Sequence, residues 1–189
     1  MKAELQNKLA EKYPVFFEYL KEHRKMIMPM QFGIECGDGW YFLIDNLMST
    51  IQNHIDGINS QTQFKSKFWR WFFRFSGIVD KNICRFKWSR KLYIRFRSKM
   101  NEKLERELVP QISVDVMQIK EKFSGLRFYI NGGDDAIYGM ISLAENMSYG
   151  ICESCSSTIE VGTTTGWLRT LCKTCATKEN VIDRWNVHL

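Results

Sequence analysis

The sequence predicts an α+β protein: a small domain of helices and a β-hairpin, carrying a basic helical insertion and ending in a four-cysteine zinc ribbon. Three patterns support this. Apolar residues recur at helical spacing before residue 60, they alternate with polar ones around residues 112–116, and four of the six cysteines fall in residues 152–175 as two C-x2-C pairs. With 189 residues, 44% of them apolar, the chain suits one ordinary core with a small appended module. The expected division is residues 1–150 as the α+β domain, with the insertion at about 60–108, and residues 151–189 as the ribbon.

Residues 3–24 read as helix, since Leu5, Leu9, Phe16, Phe17 and Leu20 can share a face, with Pro14 forcing a kink or restart. MIMPMQFGIECGDGW is extended or looped. Asp38 is then expected to cap a helix entered by Gly39 and Trp40. Trp40, Leu43, Ile44, Leu47, Met48, Ile51 and Ile55 follow the spacing of a buried stripe, and the helix is expected to end near Asp56-Gly57.

The next stretch, FKSKFWRWFFRFSGIVDKNICRFKWSRKLYIRFRSK, interleaves aromatic and cationic residues. Phe64 to Lys99 holds twelve Lys or Arg and one acid, Asp80, a local charge of +11. That leaves 15 basic and 20 acidic residues, −5, elsewhere in a chain whose net charge is +6. Phe64, Phe68, Trp71, Phe72 and Phe75 lie on one helical face, widened by Trp69 and Phe73. Gly77 and Asp80-Lys81-Asn82 suggest a turn, with a second helix from about Arg85 to Leu108, making a helical hairpin.

Ile112, Val114 and Val116 alternate with Ser113 and Asp115 as in a strand. Phe123-Ser124-Gly125 makes a turn, and Leu126 to Ile130 returns. Asp134 or Asp135 can cap a following helix, with Ile137, Met140, Ile141, Ala144 and Met147 inward and Gly150 as terminator.

Cys152-x2-Cys155, sixteen residues, then Cys172-x2-Cys175 is zinc-ribbon spacing. Each C-x2-C turn brings two thiolates to one ion while backbone N–H groups donate to the sulfurs, and two turns complete a tetrahedron. Between them Thr158 to Val161 runs out, Gly162 to Gly166 turns, and Trp167 to Leu171 runs back. Other uses of paired cysteines fit less well. The N-terminus, MKAELQNKLAEKYP, lacks an apolar signal core, so a reducing, cytoplasmic location is expected, where disulfides are rare. An iron–sulfur cluster also takes four cysteines. Redox chemistry at one pair leaves the other unexplained, and catalytic zinc needs an open position that four thiolates close. One structural Zn2+ per chain, held by Cys152, Cys155, Cys172 and Cys175, is therefore expected. Cys36 and Cys84 read as isolated, partly buried thiols.

KEKFSGLRFYI (Lys120 to Ile130), a short helix and CESC…GWLRTLCKTC together resemble a recurrent group of small phage and bacterial proteins, with a weaker echo in GDGWYFLIDNL (Gly37 to Leu47). Those proteins carry a KEKFGGLRFY-type hairpin before a CxxC…GW…LCxxC zinc ribbon. The likeness covers roughly residues 112–176. Ser124 departs from the usual Gly-Gly, which is tolerable if that position needs no positive φ. The resemblance implies the ribbon and a phage-type origin, with residence in the host cytoplasm, and supplies no catalytic residue.

Gly132-Gly133-Asp134-Asp135 is similar to metal-holding motifs of nucleotide enzymes, but the helical pattern that follows makes the acids a cap. His23, His54 and His188 are scattered, and no phosphate-binding or dinucleotide motif occurs. The leading expectation is non-catalytic binding of nucleic acid, with Lys67, Arg70, Arg74, Arg85, Lys87, Arg90, Arg95 and Arg97 on phosphates and exposed aromatics on bases. The same segment also suits packing as core with the cations facing water, or an anionic membrane surface. No run of about 18 apolar residues occurs, so a transmembrane helix is not expected. The alternative is an accessory protein that modulates a host protein, in counter-defence or takeover; an unrecognised enzyme is third.

Overall fold

The computed structural model describes residues 1–17, 33–83, 95, 98–99 and 111–187; beyond residue 61 of the long helix, side chains are described only at Lys67 and Trp71. The architecture is α+β, with helices and two small antiparallel sheets. Two compact units divide the chain. One joins Met1–Asn53 to Ser113–Leu189; the other is His54–Ile112.

Helix α1, Ala3–Lys12, stops two residues before Pro14, which opens a 3-10 turn over Pro14–Phe17. The interruption falls at Pro14, where a kink or restart is expected because proline removes a donor; residues 18–24, with Leu20 and His23, lie outside the described residues. Lys12 and the Tyr13 hydroxyl both reach the Asp45 carboxylate, at 2.7 and 2.8 Å, fixing this end of α1 on the next helix.

That helix, α2, runs Tyr41–Ile83 after a 3-10 turn at Asp38–Trp40. Asp38 does not cap it. Its carboxylate accepts the Lys2 N–H at 2.8 Å, and Gly37 occupies the capping position of the 3-10 turn. The stripe is buried as its spacing predicts: Trp40, Leu43, Ile44, Leu47, Met48, Ile51 and Ile55. The expected stop at Asp56-Gly57 does not occur. A Cβ placed on Gly57 would meet nothing within 4 Å, so this glycine relieves no crowding and interrupts no ladder. An isolated helical glycine costs only about 1 kcal/mol against alanine, which a long helix absorbs. The expected turn at Gly77 and Asp80-Lys81-Asn82 is likewise absent, since helix continues to Ile83. Of the second predicted helix, Arg95, Ser98 and Lys99 are helical and exposed, and the rest lies outside the described residues, as does Cys84. Within the second unit the Asn59 amide clasps both backbone groups of Ile112, at 3.0 and 3.1 Å.

Strands β1 (Val114–Lys122) and β2 (Gly125–Gly132) pair antiparallel. Both are longer than the alternation suggested. A bulge between Val116 and Gln118 shifts the phase, so the inward set is Val114, Val116 and then Ile119. Lys122 faces Gly125 across a two-residue turn in which Phe123 and Ser124 have φ of 55° and 62°. Ser124 thus occupies the left-handed region that glycine favours. Its N–H donates to Glu121 Oε1 at 2.6 Å, a local bond that offsets part of the strain.

Helix α3, Asp135–Ser148, begins as expected: Asp134 accepts the Ile137 N–H at 2.9 Å. Ile137, Ile141 and Ala144 are buried, whereas Met147 is exposed and Ser148 takes its inward place. The exchange has a purpose at the sheet edge. Ser148 Oγ and Glu145 Oε1 accept the N–H groups of Leu126 and Phe128, each at 2.9 Å, closing an edge that is otherwise open to pairing. The other edge is covered by Glu35, which bridges to β1 in parallel register.

The second sheet has strand order β4-β3-β5, from β3 (Val161–Thr164), β4 (Thr170–Cys172) and β5 (Trp185–Val187), with helix α4 (Lys173–Lys178) after β4. The outgoing strand starts later than expected, Trp167 belongs to the turn, and the third strand was not foreseen. Trp40, Leu47, Ile51, Val114, Leu126, Phe128 and Ile141 are all buried within the first unit. Leu47 is 5% exposed, so Leu47→Ala is expected to lower unfolding free energy by about 2–5 kcal/mol in a denaturant titration; a change near zero would place the side chain outside the core.

Candidate metal centre

Two tight turns build the site. The first runs from Cys152 to Cys155 between α3 and β3, and its Ser156 N–H donates to the Cys152 carbonyl at 3.0 Å. The second starts at the end of β4: the Cys172 sulfur accepts the Cys175 N–H at 3.4 Å as α4 begins, so one thiol both caps a helix and faces the centre. The four Sγ atoms lie within 4.8 Å of one another, and Cys155 and Cys172 are 3.6 Å apart. A disulfide needs about 2.05 Å, so these are free thiols. Four sulfurs at about 2.3 Å from one ion would stand about 3.8 Å apart in a tetrahedron. The cluster could therefore hold a metal ion.

Electrostatics favour a cation at the centre. Burial pushes the Cys152 thiol up, against N–H groups from Cys172, Cys155 and Ser154 that pull it down. Burial also opposes ionisation of Cys155, but the Ser157 N–H and the neighbouring thiols outweigh it and its pKa falls. Cys175 is raised by burial and by the adjacent thiols. Four thiols this close cannot all ionise unless positive charge joins them. Cys36 stands apart: it is buried, and burial pushes its thiol up to about 12.

The first cysteine turn is seated on the α+β body by contacts that the sequence did not announce. The carbonyl of Glu153 accepts the Gly39 N–H at 2.7 Å, its Oε1 accepts the Gly37 N–H at 2.8 Å, and Trp40 Nε1 donates to the Ile151 carbonyl at 2.8 Å. Ser156 Oγ donates to the Gly39 carbonyl at 2.7 Å. No side chain fits between: a Cβ on Gly37 would stand 2.3 Å from the Glu153 carbonyl oxygen, and one on Gly39 the same distance from that of Cys152. Glu153 is 6% exposed, and its second oxygen lies 3.5 Å from Arg169 Nε. Arg169 also pairs with Glu179, beyond α4, and donates to Ser154 Oγ at 3.2 Å. Thr170 Oγ1 donates to the Ser124 carbonyl at 2.6 Å, tying β4 to the strained β1–β2 turn. The weak likeness noted in Gly37-Asp38-Gly39-Trp40 was the available signal for this contact, since two glycines flanking an acid beside a large aromatic suit close backbone approach.

No family model matches the chain, and no curated protein or solved structure matches it.

Of the cationic residues singled out in the basic segment, Lys67 and Arg95 are exposed, and the side chains of Arg70, Arg74, Arg85, Lys87, Arg90 and Arg97 lie outside the described residues. Trp71, one helical turn from Lys67, is 57% exposed. Asp134 is committed to its helix cap, and His54 is half-buried. Among the described residues, no helix is long and apolar enough to cross a membrane.

Gly39→Ala is expected to displace the Cys152–Cys155 turn, because the clash is with backbone that no rotamer change relieves. A loss of at least about 2 kcal/mol in denaturant unfolding is the predicted outcome; wild-type stability would mean that the turn does not depend on this contact.

Proposed function

We propose that the protein is a non-catalytic zinc-ribbon binding protein of phage type, in which Cys152, Cys155, Cys172 and Cys175 hold one structural Zn2+ and the basic aromatic segment 64–99 contacts nucleic acid. The sulfur cluster carries the metal reading. Four thiols within 4.8 Å of one another, with Cys155 and Cys172 3.6 Å apart, suit a borderline-soft ion without a geometric preference. Bound there, the ion supplies cross-linking of the two turns rather than a reactive site. That link matters because the local core is only Cys152, Val161, Leu171, Cys172 and Ala176, with a few flanking side chains. Structural zinc contributes about 10–16 kcal/mol in small zinc peptides, enough to order such a module. Elemental analysis is expected to find one zinc per chain. Cys155→Ser and Cys172→Ser each lose it and loosen residues 150–176; full retention in both variants would refute the assignment.

The nucleic-acid reading is supported by the +11 charge of the segment and by Lys67 and Trp71, exposed one turn apart on α2. A structural helix would normally carry acids for i,i+4 pairs, and this window has one. Reversal of Arg70, Arg74, Arg90 and Arg95 to Glu is expected to abolish oligonucleotide binding while fold and zinc survive. Parent binding should fall by about 0.9 log unit per log unit of salt for each duplex phosphate neutralised. An unfolded reversal variant, with a parent that shows no salt-sensitive binding, would instead mean that the segment neutralises the acidic body.

One observation favours a second reading, modulation of a host protein: on α3, Leu143 and Met147 are 61% and 51% exposed one turn apart. Apolar side chains in that arrangement suit a protein groove better than a phosphate backbone.

A further inference from the structure

The three-stranded sheet carries a second feature, at the end of β3 away from the cysteines. Val161 pairs with Cys172, and Thr164, about 10 Å further along the strand, pairs with Trp185. Just beyond Thr164, the turn and the start of β5 surround a cavity of about 150 Å³, lined by Thr165, Trp167, Arg169, Leu171, Val181 and Arg184. An apolar cavity of this size accommodates one six-membered ring.

The backbone around it is fixed. The Thr164 hydroxyl donates to the Trp167 carbonyl at 2.6 Å and accepts the Arg169 N–H at 2.9 Å, locking the turn from inside. The Thr165 N–H donates to the Arg184 carbonyl at 2.6 Å, which sets Arg184 beside that turn. On this hydrogen-bonded turn the Trp167 side chain is 79% exposed, the most exposed large apolar side chain among the described residues. The two arginines differ in commitment. Arg169 is held by Glu153 and Glu179, whereas Arg184, also exposed, makes no ion pair with any described residue.

An exposed indole, a half-buried Val181 beside it and a guanidinium with no ion pair among the described residues are the parts of a base-and-phosphate subsite. The indole stacks on a ring, the valine covers part of it, and the guanidinium meets the adjoining phosphate. Bases inside a duplex are stacked on their neighbours and cannot enter a cavity of one ring's size; unpaired ones can. We propose that this cavity is a single-stranded nucleic-acid subsite, with Trp167 stacking on an unpaired base and Arg184 on its phosphate. It rests on the nucleic-acid reading above and adds strand type and a second point of contact to it.

The test uses the zinc-loaded full chain with a fluorescent single-stranded oligothymidylate and a duplex of equal length. Trp167→Ala is expected to weaken single-strand binding about fivefold or more and to leave duplex binding unchanged. Arg184→Ala should lower the salt slope for the single strand by about 0.7. Both side chains are exposed, so melting temperature and zinc content should match the parent in each variant. If the parent binds both probes and the variants bind as it does, the subsite is refuted while the broader reading stands. Equal loss on single strand and duplex would refute the stacking role. A parent that binds neither probe at any salt removes the broader reading and this one with it. A protein partner that depends on Trp167, found where the parent ignores both probes, would reassign the cavity to protein docking.

Discussion

The seat of the first cysteine turn on Gly37 and Gly39 is the contact around which the rest of the first unit is arranged. Two stretches of backbone approach there until no Cβ can stand between them, and the bonds across the contact include one backbone to backbone, one to a buried carboxylate and one from the Ser156 hydroxyl. The approach fixes the start of α2, because Trp40 follows Gly39 directly and its indole N–H is held by Ile151. With Trp40 placed, the buried stripe of α2 is oriented, and β1, β2 and α3 pack with it in one core. The same contact buries Glu153, and a buried carboxylate requires a partner. Arg169 is that partner, and it extends the link to Ser154 and Glu179.

The cysteine cluster and the α+β body are thus mechanically joined, and loss of order in one should be felt in the other. The small sheet does not close this loop by packing alone. Its strands have four, three and three residues, and one of them ends in a ligand candidate, Cys172. Trp185 adds a bond from its indole N–H to the Leu171 carbonyl at 2.8 Å. Much of what keeps the first turn in its seat must then come from the centre itself. There, burial raises the Cys152 and Cys175 thiols, and a divalent ion among the four sulfurs would relieve that cost.

What the sequence made legible was local. The α2 stripe follows from residues spaced three and four apart, the Asp134 cap from an acid just before an apolar run, and the cysteine cluster from two short spacings. Features set by distant partners were not legible. Glu153 looks like a solvated acid between two cysteines until Gly37, 116 residues earlier, is brought to its carboxylate. Met147 fits an inward face by period, yet Ser148 is buried, where its hydroxyl accepts the Leu126 N–H of the edge strand. Asp56-Gly57, and Gly77 with Asp80-Lys81-Asn82, carry local stop signals whose cost the continuous helix outweighs. Strand β5 has three residues and no alternation to detect; only pairing with β3 defines it. Ser124 is a departure from glycine that the sequence marks as tolerable only without a positive φ; the two-residue turn between paired strands gives it one, of 62°.

The coupling between metal and seat is the central claim, and amide hydrogen exchange tests it most directly. Zinc-loaded and chelator-treated protein would be compared at the Gly39 and Glu153 N–H groups, which bond to the Glu153 and Thr170 carbonyls at 2.7 and 2.9 Å. The account predicts that chelation deprotects both together with the cysteine turns, while Leu126 and Phe128 N–H, held by α3, keep their protection. Cysteine turns that loosen while Gly39 stays protected would contradict it, since the seat would then hold without the metal.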